Sequence, residues 1–158
     1  VEYEGWSKVT SIVAGGRRRQ DSVRLGLSEA YKSHWTVIHD GARPCITPRI
    51  LENSLIHASI NGSAVAAVPV KDTIKIVNES LIVSKTLDRK HLWAVQTPQV
   101  FATKALRHAH EKITEDVTDD ASMMEALGEK VSLFQSEYSN IKVTTEEDIH
   151  LIEVLMNN

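Results

Sequence analysis

Cys45 is the only cysteine in this chain. It excludes an intramolecular disulfide, so a packed core must hold the fold, and it suits a reducing cytoplasm. Aromatic residues make up 5% of the sequence, too few for the stacking platform that binders of single-stranded nucleic acid use. No apolar run approaches the roughly 20 residues of a membrane span, and no signal-peptide pattern is read ahead of the fold. The formal net charge is −3, so the whole molecule does not attract nucleic acid or an anionic membrane, and any anion it holds must be met by a local cluster. The chain opens "VEYEGWSKVT" without a Met and reads as entered part-way through a longer protein.

Several site types are missing too. The Walker spacing G-x-x-x-x-G-K-[ST] and the G-x-S-x-G elbow of serine hydrolases do not occur. Cys45 has no evident base beside it. His108 and His110 are two apart on a predicted helix, so they do not share a face, and no nearby Cys or carboxylate completes a zinc set.

What is present is a globular composition, with 42% hydrophobic and 25% charged residues in 158, which predicts a single domain over 1–158. Strand and helix signals alternate. "KVTSIVA" (8–14), "WTVIHD" (35–40), "SAVAAVPV" (63–70), "WAVQTPQVF" (93–101, ended by Pro98) and "VSLFQS" (131–136) read as strands. Helices are predicted from Asp21, with Val23, Leu27, Ala30 and Tyr31 on one face, and from Pro48 after an N-cap Thr47 to Asn61-Gly62. Further helices are expected over 103–112, from a Thr118 cap to Gly128, and from Thr145 with Asp148 three residues on and Ile149, Ile152 and Met156 as the apolar face. "TIKIV" and "LIVSKTL" flank Asn78-Glu79-Ser80 as a hairpin projecting from the body. The alternation predicts an α/β domain with a mostly parallel sheet, whose ligands lie beyond the carboxyl ends of the strands.

Chemistry-bearing residues collect at those ends. "AGGRRRQDS" (14–22) joins a strand to a helix through two glycines and three arginines, a pattern that can cradle a phosphate or simply form a solvated basic turn. In "VIHDGARPCI", Asp40 is a suitable Mg²⁺ ligand, while Arg43 can hold an anion or orient Asp40; a structural Asp–Arg pair is the alternative. Asp72-Thr73, Asp88-Arg89, Thr97-Pro98-Gln99, Thr118-Asp119 and Asn140-Ile141-Lys142 are single candidates that can equally serve as caps.

Taken in order, "GGRRRQDSVRLGL", "HDGARP", "VPVKDTIK", "TLDRKHLWAVQTPQVF", "TDDAS" and "NIKVTTEEDI" resemble the bacterial 2-C-methyl-D-erythritol 4-phosphate cytidylyltransferases, from about Ser11 to the carboxyl end. The resemblance implies a Rossmann-like sandwich of the nucleotide-diphospho-sugar transferase type, with a β-arm at about 73–89 that clasps a second subunit of a homodimer. It implies transfer of a cytidylyl group from CTP to methylerythritol phosphate, with Mg²⁺, giving a CDP-alcohol and pyrophosphate. By the same resemblance Gly16 and Ser22 contact the cytidine, Asp40, Ala42 and Arg43 belong to the metal and triphosphate, and Asp40 is the metal ligand. Thr73, Arg89, Thr97 and Thr118 would line the methylerythritol phosphate site, Arg89 reaching it from the partner's arm, and Lys142 would stand at the reacting phosphates as a catalytic cation with Arg43.

Attack of one phosphate on another gathers negative charge in a small volume, so alignment and charge neutralisation are the enzyme's task. That accounts for candidates of the types Arg, Lys, Thr and Asp and for the lack of a catalytic His. The family pattern also has an amino-terminal A-A-G-x-G-x-R-M loop and a downstream Pro-Lys, neither of which occurs here. The resemblance therefore implies a fold incomplete at its amino terminus and a chain that, lacking part of the triphosphate cradle, is by itself expected to be inactive. Ribitol-5-phosphate cytidylyltransferases share "DRKHLWAVQTPQVF" and "EYSNIKVTT", though Ala42 in "HDGARP" favours the methylerythritol enzymes. A non-catalytic dimerisation module and a nucleotide-sugar transferase are the other readings.

Overall fold

Helix and strand alternate where the apolar pattern and the capping residues direct them. The computed structural model describes residues 5–30 and 32–157. Along the chain run α1 (Arg19–Glu29), β1 (Trp35–Ile38), α2 (Pro48–Asn61), β2 (Ser63–Pro69), β3 (Lys75–Val77), β4 (Val83–Thr86), a 3₁₀ turn (Arg89–His91), β5 (Trp93–Ala102), α3 (Thr103–Lys112), α4 (Asp120–Ala126), β6 (Leu133–Gln135) and α5 (Glu146–Met156). The main sheet is ordered β1-β5-β2-β6, so its neighbours are not consecutive and crossovers join them. β2 and β6 are parallel, with Val65 opposite Leu133. The α/β class expected from the alternation is the class observed.

Chain contacts define two compact units, one of Val1–Thr36 with Phe101–Lys130, the other of Val37–Val100 with Val131–Asn158. In the first, α3 packs on both α1 and α4. Leu27, Phe101, Leu106, Met123 and Met124 are buried there, and each large apolar side chain taken fully out of water contributes about 1.5–3 kcal/mol.

The second unit carries most of the sheet. Ala64 to Ala67 in β2 have no exposed surface, which is why that strand reads as a continuous apolar run rather than an alternating one. α2 packs on β2. It starts where the Thr47 side chain accepts a hydrogen bond from the Ile50 N–H, and ends at Gly62 with φ 83°, a left-handed conformation that glycine adopts without a Cβ penalty. α5 opens with a reciprocal capping box between Thr145 and Asp148. Among the described residues no helix is long and apolar enough to cross a membrane.

Several expectations are corrected. Residues 8–14 form no strand; Val9, Ile12 and Val13 are exposed, and β-branched residues make a strand only when a neighbouring strand completes the ladder. β5 does not stop at Pro98 but continues to Ala102, because Pro98, Val100 and Phe101 are fully buried and that burial outweighs one missing ladder donor. The cap of α4 is Asp119, whose carboxylate accepts from the Ser122 N–H at 2.9 Å, since Asp119 sits one residue closer to the first turn than Thr118. In α5 only Ile152 of the expected apolar face is buried. In α1, Leu27 and Gln20 are the buried positions; Tyr31 lies outside the described residues.

Candidate active site

Asp40 follows the end of β1, and its backbone N–H donates to the Thr97 hydroxyl on β5 at 3.0 Å. Its carboxylate lies 3.1 Å from the Lys142 ammonium and 3.7 Å from Arg43 Nε. Three motifs far apart in sequence therefore meet at one strand end. The turn is tight: the Arg43 N–H donates to the Asp40 carbonyl at 3.0 Å, and the Val143 N–H to the Ala42 carbonyl at 2.8 Å. The second bond ties the segment carrying Lys142 to the turn carrying Asp40, and it gives Ala42 a backbone role.

Arg43 is mostly buried, which pushes its guanidinium below the usual arginine range, while Asp40 works in the opposite direction. Its Nη1 donates to the Asn140 carbonyl at 2.8 Å, but its Nε is buried without a hydrogen-bond partner. Asn140 has no exposed surface and donates to Gln96 Oε1 at 3.1 Å and to the Thr97 carbonyl at 2.8 Å. It thus fixes the backbone of β5 beside Thr97. His39 and Gln96 are parts of this network that the sequence reading missed; the adjacency of His39 to Asp40 was the available signal. Two cations against one carboxylate leave the cluster with a positive excess and a buried donor, which suits a ligand rich in anionic oxygens.

Thr73 lies two residues before β3 and is exposed. Arg89 opens the 3₁₀ turn and donates from Nη1 to the Lys71 carbonyl of its own chain at 2.6 Å. The β3–β4 hairpin is antiparallel, its turn built on Asn78, whose Oδ1 accepts from the N–H groups of Ser80 and Ile82 at 3.1 and 2.9 Å.

Gly16, Ser22 and Thr118 belong to the first unit. The Gly16 N–H donates to Ser22 Oγ at 3.0 Å, and a Cβ on Gly16 would stand 2.4 Å from Asp21 Cβ. Glycine is therefore demanded by the close approach of the loop to the first turn of α1. Thr118 pairs with Ser122 Oγ at 3.1 Å. Arg18 bonds Asp21 and Asp116 at 2.9 and 2.8 Å; the bond from Arg18 lowers the Asp21 carboxyl to about 2. Asp120 is buried, its two oxygens meeting His110 Nε2 at 2.9 Å and Arg19 Nη1 at 2.7 Å. Burial opposes that charge, yet the bonds from His110 and Arg19 outweigh it and hold the carboxyl below its ordinary range.

Residues 4–158 match the family model described as 2-C-methyl-D-erythritol 4-phosphate cytidylyltransferase. A protein of that name from Dehalococcoides mccartyi is 44% identical over 156 residues, covering 99% of this chain and 69% of the relative. The 4-diphosphocytidyl-2C-methyl-D-erythritol synthase structure from Anaerococcus prevotii superposes with a TM-score of 0.84 at 32% identity, over 92% of this chain and 67% of that one. The Thermus thermophilus cytidylyltransferase structure gives 0.82 at 35% identity, over 92% and 72%. With ordered motifs, α/β fold and near-complete coverage in agreement, the chain belongs to the 2-C-methyl-D-erythritol 4-phosphate cytidylyltransferase family.

Proposed function

We propose that the protein transfers the cytidylyl group of CTP to 2-C-methyl-D-erythritol 4-phosphate, and that the Asp40–Arg43–Lys142 cluster is where the phosphates react. A phosphate oxygen of the sugar alcohol attacks the α-phosphorus of CTP, and the bond from that phosphorus to the bridging oxygen breaks. Pyrophosphate leaves with the electron pair, and CDP-methylerythritol is the other product. The attacking phosphate is already ionised at neutral pH, so the chain must supply alignment and positive charge rather than a strong base. The observation that carries this reading is the positive excess around one carboxylate, with the Arg43 Nε buried and without a hydrogen bond. In it the Lys142 ammonium faces the developing charge, Arg43 holds a phosphate oxygen, and Thr97 with Thr73 serves the methylerythritol phosphate. Gly16 and Ser22 serve the cytidine.

Asp40 fits a hard divalent cation. Mg²⁺ is usually held by one or two carboxylates shared with substrate phosphates, and among the described residues no set of three His, Cys, Asp or Glu forms a protein-only cage. Asp40 would hold it, substrate oxygens and water completing the shell, and the ion would neutralise phosphate charge. The free Cys45 suits a cytoplasmic setting.

The hairpin is proposed as the arm that pairs two copies of the chain. Ile76, Val77, Ile82 and Val83 are exposed along it, and Leu81 is 79% exposed at its tip, more apolar surface than an isolated hairpin keeps in water without cost. Arg89, at the base of that arm, would then release Lys71 to reach the partner's site.

The test is pyrophosphate release from CTP with Mg²⁺, product identity being read by ³¹P NMR. With the Gly-rich loop and Pro-Lys of the family pattern restored to the chain, turnover with methylerythritol phosphate and none with ribitol 5-phosphate is expected; equal turnover would move the substrate reading to polyol phosphates, and no turnover with either would favour a binding module.

A further inference from the structure

With a neutral imidazole, the hydrogen bonds around His39 set the direction of the protons it shares with Arg43 and Thr97. His39 Nε2 lies 3.0 Å from the Arg43 carbonyl oxygen, which can only accept, so Nε2 carries the proton. In a neutral ring Nδ1 is then an acceptor. Nδ1 lies 3.0 Å from Thr97 Oγ1, so the Thr97 hydroxyl must donate to it. Oγ1 in turn accepts the Asp40 N–H at 3.0 Å, leaving one lone pair and no proton to offer.

We infer that His39 is a positioning residue: held as the Nε2–H tautomer, it makes Thr97 an acceptor only, and so fixes both the Asp40 main chain and the kind of group Thr97 can receive. This rests on the function proposed above and sharpens it. A phosphate oxygen carries no hydrogen, so it cannot bond to Thr97 while His39 holds the hydroxyl proton. A hydroxyl of the sugar alcohol can, by donating to the remaining lone pair. Thr97 therefore reads the alcohol part of the substrate, and the phosphate falls to the cations. Asn140 supports the same arrangement by bonding the Thr97 carbonyl at 2.8 Å, and Thr97 is itself buried, so its rotamer has little freedom.

The tautomer is directly readable. In the uniformly ¹⁵N-labelled chain, long-range ¹H–¹⁵N spectra are expected to show His39 with a protonated Nε2 and a hydrogen-bonded, unprotonated Nδ1. Thr97→Val should move the Nδ1 signal to that of a free acceptor, and exchange of the Asp40 amide should quicken about 10-fold or more as its acceptor is lost. His39→Asn places an acceptor near the Nδ1 position and should keep the Asp40 amide protected, whereas His39→Gln, which keeps only the donor toward Arg43, should not. A protonated Nδ1, or Asp40 exchange unchanged in Thr97→Val, overturns the inference.

Turnover supplies the link to the reaction. His39→Gln should lower kcat about 10-fold with the KM for CTP nearly unchanged, as is usual for partners that orient a reacting group, and His39→Asn should restore most of it. Equal loss in both variants means that the ring acts by packing alone, which also overturns the inference. Turnover is read with the Gly-rich loop restored, where an inactive parent tells against the proposed function, while the imidazole and amide signals of the chain itself decide the role of His39 independently.

Discussion

Each unit contains a charged cluster built around one aspartate, and the two are finished differently. In the first unit the Asp120 carboxylate is 1% exposed, with one oxygen on His110 and the other on Arg19. In the second, the Asp40 side chain is 15% exposed, Lys142 beside it is 44% exposed, and a buried Arg43 N–H has no acceptor. A buried carboxylate with every oxygen paired locks packing, because removing either buried member, Asp120 or His110, leaves the other stranded out of water. A cluster with surplus positive charge and an unpaired donor is incomplete without an anion. Counting charges by type along the sequence does not separate the two; counting which atoms are satisfied does.

The sharpest way to break that contrast is Asp120→Ala. Removing the carboxylate that the buried His110 faces should cost about 3–5 kcal/mol of stability, read by urea denaturation; a loss below about 1 kcal/mol would mean that the first cluster is no lock. Lys142→Ala tests the other side. It should lower turnover about 100-fold or more if the ammonium stabilises transition-state charge, while stability moves by no more than about 0.5 kcal/mol because the side chain is half exposed. Turnover within a few-fold of the parent would make Lys142 a surface charge and erase the difference between the clusters.

Gly16→Ala probes the first unit without touching charge. Its Cβ would stand 2.4 Å from Asp21 Cβ and 3.0 Å from the Asp21 carbonyl carbon, neither of which can swing aside as a flexible side-chain end would. Forcing that overlap should cost about 1–3 kcal/mol, seen as a lower Tm, and an unchanged Tm would show that the loop can part from α1. The smallest effect expected is the acid response. Asp21 ionises at about 2 in the folded chain against an ordinary 3.8, so the unfolded chain takes up its proton first as the pH drops. The stabilisation from this group is full well above 3.8 and is lost as pH falls through 3.8 toward 2. Asp21→Asn should flatten the stability profile in that window, and a profile identical to the parent's would remove Arg18–Asp21 from the first unit's structural charges.

Much of the fold was legible because local chemistry decided it. Thr47-Pro48 and Asn61-Gly62 bracket α2 as a cap, a first-turn proline and a left-handed stop, and the unbroken apolar run of β2 announces burial on both faces. Residues 8–14 misled because β-branched residues carry strand propensity without saying whether a partner strand lies alongside. At the site, Asp40, Arg43, Thr97 and Lys142 were recognisable as a set only through ordered motifs. His39 escaped notice because a histidine's role depends on what faces each ring nitrogen, and the Arg43 carbonyl and the Thr97 hydroxyl approach it from four residues and 58 residues away.

The sequence alone determined the alternation of strands and helices, the helix caps, the family and the inventory of charged groups, since these follow from composition, spacing and residues a few positions apart. Only the tertiary structure decided which aspartate is sealed and which is left reactive. Asp40 and Asp120 both sit where a strand or loop meets the next element, and nothing local tells them apart. The distinction arises when β1, β5 and the segment after β6 bring Lys142, Arg43 and Thr97 around Asp40 with positive charge to spare, whereas α1, α3 and α4 close Arg19 and His110 onto Asp120. Whether a charge is satisfied is a property of three-dimensional neighbours, and chain order does not contain it.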